Sequence, residues 1–316
     1  MNFLAVGDLA WDVLAKPDTP LQSGGDTTGQ LELSGGGSAA NLATWAARCG
    51  LSTGFVGKVG FGRFGEFAVS DLENEGVAVH PIWTSERRTG VVLALIDPSG
   101  QRSMLSGQGA DFLLTPLELP VAVIQNSQHL HLTAWSLFTN PPREAALEAA
   151  KIARESGATL SLDPGSFQMI MQTGRNTFLS LMDTLEFDYL LPNRDEAQAL
   201  SGESAPLEMM RWLQAHYPKA CIVLKLDHEG VLVGEAGREA LYVAATNDAV
   251  VDATGAGDAF GGAFLSHFLR SSDAKAAATL AVQVAGWVIG RFGARVGMDD
   301  EIRARLERYA LAPLSV

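Results

Sequence analysis

Cysteine, histidine and basic residues are scarce in this 316-residue chain, and each shortage argues against one class of bond, site or partner. Its two cysteines, Cys49 and Cys221, lie in apolar contexts that favour buried thiols over a disulfide, which indicates a reducing, cytoplasmic location. The six scattered histidines offer no recognisable zinc spacing. Lysine and arginine number 23 against 36 acidic residues, a net charge of −13, which argues against nucleic acid as a partner.

Long apolar runs are also missing. The first residues lack the basic region of a signal peptide, and the longest apolar stretch, 274–289, is interrupted by Lys275, Gln283 and Gly286. We therefore expect no membrane partner and a buried helix over 274–289. A hydrophobic content of 47% and a mean hydropathy of +0.11 suit one large α/β domain or two smaller ones.

Short apolar segments alternate with helical patterns along most of the chain, which predicts βαβ units and a mainly parallel sheet covered on both faces. Two regions break the alternation. Residues 17–34 are polar and glycine-rich, and residues 83–106 contain a hairpin pattern around Asp97-Pro98-Ser99-Gly100. The expected strands are 3–6, 53–59, 129–133, 159–162, 189–191 and 220–224, and the expected helices are 39–49, 66–75, 142–156 and 195–200.

A glycine-rich loop, Asp252-Ala253-Thr254-Gly255-Ala256-Gly257-Asp258, carries the clearest chemical signal. It follows the strand-like segment 249–251 and precedes an apolar, helical segment, 259–269. The backbone N–H groups of Gly255, Ala256 and Gly257 at a helix N-terminus suit a phosphate or a developing anion. Asp258 would then act as base for a substrate hydroxyl, as phosphoryl transfer to an alcohol requires. An N-terminal helix cap is the structural alternative for Asp258, and the helix dipole predicts a weakly basic carboxylate. The Lys-Ser/Thr pair of a Walker A loop is missing.

Together with the segment Gly35-Gly36-Gly37-Ser38-Ala39-Ala40-Asn41, this loop resembles the paired signatures of the ribokinase (PfkB) carbohydrate kinases. The resemblance covers nearly the whole chain. Smaller fragments follow in the family's order, namely Gly7-Asp8 with Asp12, Gly57-Lys58-Val59-Gly60, Thr89-Gly90, Gly100-Gln101-Arg102, Gly109-Ala110, Asp163-Pro164, Asn193-Arg194-Asp195-Glu196 and Gly293-Ala294.

The resemblance implies an α/β fold of the ribokinase type, a three-layer α/β/α sandwich over residues 1–316, with a small β-sheet lid at about 13–34 and 83–106. It implies an ATP- and magnesium-dependent kinase that phosphorylates a hydroxymethyl group of a sugar or a sugar-like substrate. A lid would exclude water from the reaction. Asp258 and the amides of residues 255–257 take the catalytic positions. The substrate positions fall on Asp12, Gly36, Gly37, Asn41 and Arg102.

For the nucleotide and its metal, the resemblance points to Asn193, Glu196, Lys225 and Gly230, with Gly255 and Gly257. Asn193 and Glu196 would hold Mg²⁺ through water, although the same spacing also suits a helix capping box. Asp252 and Thr254, with carbonyls near Gly293 and Gly297, are implied as a K⁺ site, for which a turn-forming aspartate bonded to the threonine is the alternative.

Several features depart from the family or leave alternatives open. Gly62 stands where relatives usually carry Asp, and Asp227 stands where many have a glycine that contacts nucleotide. The segment Gly60-Phe61-Gly62-Arg63-Phe64-Gly65, with Glu86 beyond it, also fits the fingerprint of a dinucleotide-binding oxidoreductase. A nucleoside kinase of the same fold and a catalytically idle sugar sensor are further alternatives. In relatives the lid strands can pair across a dimer, so the resemblance also leaves a homodimer open.

Overall fold

The computed structural model describes residues 2–97 and 102–310. Within these ranges no helix is both long and apolar enough to cross a membrane. The strands of the described chain are β1 (Asn2–Val6), β2 (Ala10–Pro17), β3 (Gly29–Gly36), β4 (Ser52–Gly60), β5 (Ala78–Thr84), β6 (Gly90–Ile96), β7 (Arg102–Ser106), β8 (His129–Thr133), β9 (Thr159–Asp163), β10 (Tyr189–Leu190), β11 (Cys221–Lys225), β12 (Val231–Gly234) and β13 (Leu241–Val243).

Nine strands form the large sheet in the order β13-β12-β11-β10-β9-β8-β1-β4-β5. The seven strands from β11 to β5 run parallel, and β12 and β13 are antiparallel. The buried strands are almost continuously apolar, as parallel strands covered on both faces require. The expected mainly parallel sheet is confirmed.

Helices cover both faces of this sheet. One core packs around Trp45, Phe264 and Trp287, and the other packs around Phe178 and Leu213. The result is a three-layer α/β/α arrangement, in which each face of the sheet is buried against a helical layer. The helices are α1 (Ser38–Arg48), α2 (Arg63–Asn74), α3 (Val121–Gln125), α4 (Pro142–Glu155), α5 (Phe167–Thr173), α6 (Arg175–Asp183), α7 (Arg194–Ser201), α8 (Pro206–His216), α9 (Ala256–Ser271), α10 (Ala274–Ile289) and α11 (Asp300–Tyr309).

The other four strands form a separate sheet in the order β3-β2-β6-β7. Strand β2 pairs antiparallel with β3 and parallel with β6, and β6 pairs antiparallel with β7. The expected hairpin between β6 and β7 is therefore present, and its turn residues 98–101 lie outside the described residues. A small core of Leu14, Ala94 and Ile96 packs against Phe292, which follows α10.

The strand-like segment before the glycine loop is not a strand in the structure. Segment 249–251 has no strand structure, and Val250 and Val251 are 55% and 37% exposed. The backbone N–H groups of Val251 and Asp252 both donate to the carbonyl of Ile289 at the end of α10. The apolar composition of 249–251 suggested a strand, but its backbone partner is a helix terminus rather than a neighbouring strand.

Candidate active site

A cavity of about 190 Å³ lies between the large sheet and the small sheet. The large sheet contributes residues that follow or end its parallel strands, among them Asp8, Asp163 and Lys225. The small sheet contributes Asp12 and Met104. The carboxyl ends of parallel strands meet at one edge, and that edge is where open α/β sheets bind their ligands.

The glycine loop enters this cavity at the start of α9. Gly255 precedes the helix in a left-handed conformation, with φ of 73°, and no side chain caps this end of α9. A Cβ atom on Gly255 would lie 2.3 Å from the Cβ of Ala294, so glycine is required there for space as well as for conformation. Gly255, Gly257 and Asp258 line the cavity, whereas Ala256 does not, and its N–H donates to the carbonyl of Ala253 at 3.4 Å.

Asp258 occupies the third position of α9, and its Oδ2 accepts a 2.9 Å hydrogen bond from Nδ2 of Asn41 in α1. The two family signatures, more than 200 residues apart in sequence, therefore meet here. Burial raises the pKa of Asp258 to about 7; the Asn41 bond lowers it, and the Asp163 and Asp8 charges raise it again. This raised pKa contradicts the expectation of a weakly basic carboxylate at a helix N-terminus, because burial disfavours the ionised form.

A buried ion pair faces the start of α9. Nζ of Lys225 donates to Oδ2 of Asp163 at 2.7 Å, and both side chains are 12% exposed. The same Nζ lies 3.5 Å from the position that a Cβ atom on Gly257 would occupy. Burial lowers the pKa of Lys225, but Asp163 and Glu196 outweigh that effect and raise it. A protonated lysine therefore lies beside the amides of the glycine loop.

Asn193 and Glu196 form the capping box that their spacing allows. Oδ1 of Asn193 accepts from the Glu196 N–H at 2.9 Å, and Oε2 of Glu196 accepts from the Asn193 N–H at 2.8 Å. Both residues also line the cavity. Burial and the neighbouring Asp163 raise the pKa of Glu196. Capping is thus observed, and it uses one carboxylate oxygen of Glu196.

The Asp252 carboxylate is fully buried behind the glycine loop. Its Oδ1 accepts from the N–H and the hydroxyl of Thr254 at 2.9 and 2.6 Å, and its Oδ2 accepts from the Gly293 N–H at 2.9 Å. These bonds form the turn that was the alternative to a K⁺ site. Thr254 lines the cavity, whereas Asp252 and Gly297 do not.

At the small-sheet end, Asp12 lies on β2, and it is 3% exposed. A Cβ atom on Gly36 would lie 2.1 Å from its Oδ1, so the glycine leaves room for this carboxylate. Gly37 adopts φ of 94° before α1. Asp8 accepts from the N–H groups of Ser38 and Ala39 at 2.8 and 3.1 Å, and so caps that helix.

Gly230, an expected nucleotide ligand, does not line the cavity. Gly230 packs against β13, where a Cβ atom would lie 2.1 Å from the carbonyl of Val243. Asp227 adopts φ of 53°, a left-handed conformation that aspartate tolerates better than most residues. The side chain of Arg102 lies outside the described part of the chain.

Three residues of this region were missed from the sequence, namely Asp111, Asp163 and Arg295. Asp111 lines the cavity, its Oδ1 is buried without a hydrogen-bond partner in the described chain, and burial raises its pKa to about 7. The signal was available, since each missed residue belongs to or directly follows a family fragment: Gly109-Ala110, Asp163-Pro164 and Gly293-Ala294.

The chain matches the pfkB family of carbohydrate kinases over residues 2–301. It is 29% identical over 297 residues to an ATP-dependent ribose-1-phosphate kinase of Halopiger xanaduensis, a match that covers 93% of this chain and 94% of that protein. It is 30% identical over 259 residues to a fructokinase of Escherichia coli, with 81% and 80% covered.

Among solved structures, the adenosine kinase of Sinorhizobium meliloti superposes with a TM-score of 0.86 at 25% identity, covering 97% of this chain and 99% of that one. The ribokinase of Thermotoga maritima superposes with a TM-score of 0.78 at 24% identity, covering 96% and 99%. The chain belongs to the pfkB family of carbohydrate kinases and has the ribokinase-like fold. It is a sugar or nucleoside kinase, and the oxidoreductase interpretation of the Gly60–Gly65 fingerprint is wrong.

Proposed function

We propose that this enzyme transfers the γ-phosphoryl group of ATP to a hydroxymethyl group of a sugar or a sugar-like substrate, with Asp258 as the base. The observation that carries the proposal is the meeting of Asp258, the uncapped start of α9 and Lys225 at one cavity. A carboxyl group with a pKa of about 7 is ionised in a large fraction of molecules at neutral pH and is still basic enough to accept a hydroxyl proton.

The phosphoryl group would meet the amides of Gly255 and Gly257, with the Ala256 amide at their edge. Lys225 supports this role, because its ammonium group lies beside Gly257 and would stabilise charge on the transferring oxygens. The substrate would lie between the proposed base and Asp12, with Asn41 and the Gly36–Gly37 backbone close to its hydroxyls.

The charge of the cavity supports a divalent cation. Its described wall carries six carboxyl groups, those of Asp8, Asp12, Asp111, Asp163, Glu196 and Asp258, against the single ammonium group of Lys225. Burial raises the pKa values of Asp111, Glu196 and Asp258, so these three groups carry only part of their negative charge at neutral pH. The phosphates of ATP would be repelled from such a wall unless a cation accompanied them. Glu196 and Asn193 fit Mg²⁺ held through water, since carboxylate and amide oxygens are hard ligands. When bound, Mg²⁺ would neutralise charge on the β- and γ-phosphates.

Relatives support the same cofactors. The Halopiger enzyme is named as ATP-dependent, and an Escherichia coli protein with this fold was solved in complex with ATP and Mg²⁺, with a TM-score of 0.82 and 97% and 99% of the chains covered. The K⁺ site at Asp252, Thr254 and Gly297 stays a prediction, as does the contact of Gly230 with nucleotide. Two free, buried thiols support a cytoplasmic location.

The test is ADP release with MgATP across a panel of sugars, sugar phosphates, keto-sugar acids and nucleosides, each in K⁺ and in Na⁺. We expect one acceptor class to drive ADP formation, and Asp258→Asn to reduce the rate by at least about 100-fold, the usual contribution of a general base. Asp195→Asn is the matched control, since Asp195 is an exposed carboxylate in the first turn of α7. Full activity of Asp258→Asn would refute the assignment of the base.

The panel also separates the alternatives. A nucleoside acceptor would favour the nucleoside kinase, which the similarity to the Sinorhizobium adenosine kinase supports. Binding of a sugar without any turnover would favour the idle sensor. A rate in K⁺ that exceeds the rate in Na⁺ severalfold would support the proposed monovalent cation.

A further inference from the structure

A buried arginine behind the cavity wall connects the proposed base to the end of β3. The side chain of Arg295 is 3% exposed, and its guanidinium donates three hydrogen bonds. Nε donates to Oδ1 of Asn41 at 2.7 Å, Nη1 donates to Oδ2 of Asp71 at 2.8 Å, and Nη2 donates to the carbonyl of Gly36 at 2.7 Å. These acceptors lie on α1, α2 and β3.

The contact with Asn41 determines which way its amide faces. A guanidinium has only donors, so it must meet the amide oxygen of Asn41, and the amide NH₂ group then points to Asp258. This gives the Asn41–Asp258 bond of 2.9 Å. Without Arg295 the amide could rotate and present its oxygen to the Asp258 carboxylate.

The glycine at position 35 leaves space for the side chain of Arg295. A Cβ atom on Gly35 would lie 2.6 Å from Nη1 of Arg295 and 2.5 Å from Oδ2 of Asp71. The first glycine of the Gly35-Gly36-Gly37 signature therefore makes room for the Arg295–Asp71 ion pair. The residue that follows Gly36 is Gly37, whose φ of 94° turns the chain from the small sheet into α1.

We infer that Arg295 is a positioning residue, which holds the Asn41 amide with its NH₂ group on Asp258 and ties that arrangement to the root of the small sheet at Gly36. The inference rests on the proposed function, because it assigns the arginine a role through the proposed base. No substrate contact is required of Arg295 itself.

Other charged residues act on Asp258 and on Arg295, and a test of the inference must leave those residues unchanged. Asp258 is influenced by Asp163 at the end of β9, Asp8 after β1 and Lys225 at the end of β11. Arg295 is influenced by Asp71 on α2, by Glu75 directly after that helix, and by Asp12 on β2. A substitution of Arg295 leaves all six in place, so a change in the titration of Asp258 reports the lost arginine and the freed amide.

The test is a thermal-stability cycle between pH 5 and pH 9 with the wild type, Asp258→Asn, Arg295→Gln and the double variant. Burial raises the pKa of Asp258 from 3.8 to about 7 in the folded protein. Between these values the unfolded state is ionised and the folded state is protonated, so stability falls as pH rises and levels off above the folded pKa. The stability gained by Asp258→Asn should therefore grow with pH and level off near pH 7.

In the Arg295→Gln background we expect this levelling point to move up by about one pH unit. The reason is that losing a hydrogen bond to an ionised carboxylate raises its pKa by about one unit. Arg295→Lys should move it in the same direction by less, since one ammonium group cannot serve all three acceptors. Arg295→Lys also decides the question if Arg295→Gln does not fold. An unchanged levelling point in the folded Arg295 variant overturns the inference.

Arg291→Gln is the matched control. Arg291 pairs with Asp299 and Glu301 and lies over Trp287, away from the cavity. It should lower stability without moving the levelling point. With an active acceptor, the acidic limb of kcat/KM should move by the same amount in Arg295→Gln, about a tenfold loss on that limb. Because the melting cycle needs no turnover, a kinase assay that fails would refute the proposed function without deciding the role of Arg295.

Discussion

Replacing Lys225 by Met should destabilise the protein strongly, and more at alkaline than at acidic pH. The ammonium group donates to Asp163 at 2.7 Å and acts on the buried carboxyls of Glu196 and Asp258. Methionine matches the unbranched stem of lysine as far as Cε but lacks the terminal ammonium group, so it removes the charge. The substitution therefore isolates what the cation contributes to this acidic cavity.

The magnitude follows from burial. Both members of the Lys225–Asp163 pair are 12% exposed, and removing one partner of a buried pair typically costs about 3–5 kcal/mol, because the other charge remains desolvated. We expect the lower end, about 3 kcal/mol at pH 8, since the cavity admits some water. Lys225 lowers the pKa values of Glu196 and Asp258, so without it both rise further. Carboxyls with raised folded-state pKa values weaken the fold as pH increases, so the loss at pH 6 should be smaller by about 1 kcal/mol.

Urea unfolding at pH 6 and pH 8 measures this difference directly. Lys275→Met is the matched control, because Lys275 is an exposed lysine on α10, and it should change the free energy of unfolding by less than about 0.5 kcal/mol. The reasoning fails if Lys225→Met unfolds at the same urea concentration as the control at pH 8, or if its loss is greater at pH 6.

Three further outcomes are expected. In thermal melting, Gly255→Ala should lower stability by at least about 2 kcal/mol more than Gly237→Ala. Both glycines have φ near 70°, but only Gly255 lacks space for a Cβ atom. Equal losses would contradict the close approach of Ala294 to Gly255. Asp111→Asn should stabilise the protein by about 2 kcal/mol at pH 8 and by less at pH 5. Burial raises the Asp111 pKa to about 7, so ionisation of this carboxyl weakens the fold as pH rises between 3.8 and 7. A pH-independent effect in urea unfolding would refute the burial of an ionisable Asp111. Burial raises the pKa values of Cys49 and Cys221 to about 12. A thiol reagent at pH 8 should therefore leave both cysteines unmodified for minutes in the native protein and should modify both after denaturation. Rapid labelling of the native protein would show that these thiols are accessible.

The sequence by itself determined the architecture and the position of the cavity. Alternation of short apolar segments with helical patterns is a local property of the chain, and it requires parallel strands with helices on both faces. The glycine signatures determined two turns, because Gly37 and Gly255 adopt left-handed conformations that other residues resist. The order of the family fragments then indicated that both turns serve one site.

Tertiary structure decided the electrostatics, because desolvation and charge proximity depend on residues that are distant in the chain. Asp258 looked like a weakly basic helix-terminal carboxylate, and burial beside Asp163 and Asp8 makes it a group that titrates near neutral pH. Arg295 followed a recognisable fragment without any local pattern to suggest its role. Its three acceptors lie at positions 36, 41 and 71, more than 200 residues away, and only the packing of α1 and α2 beside the end of β3 brings them within reach of one guanidinium.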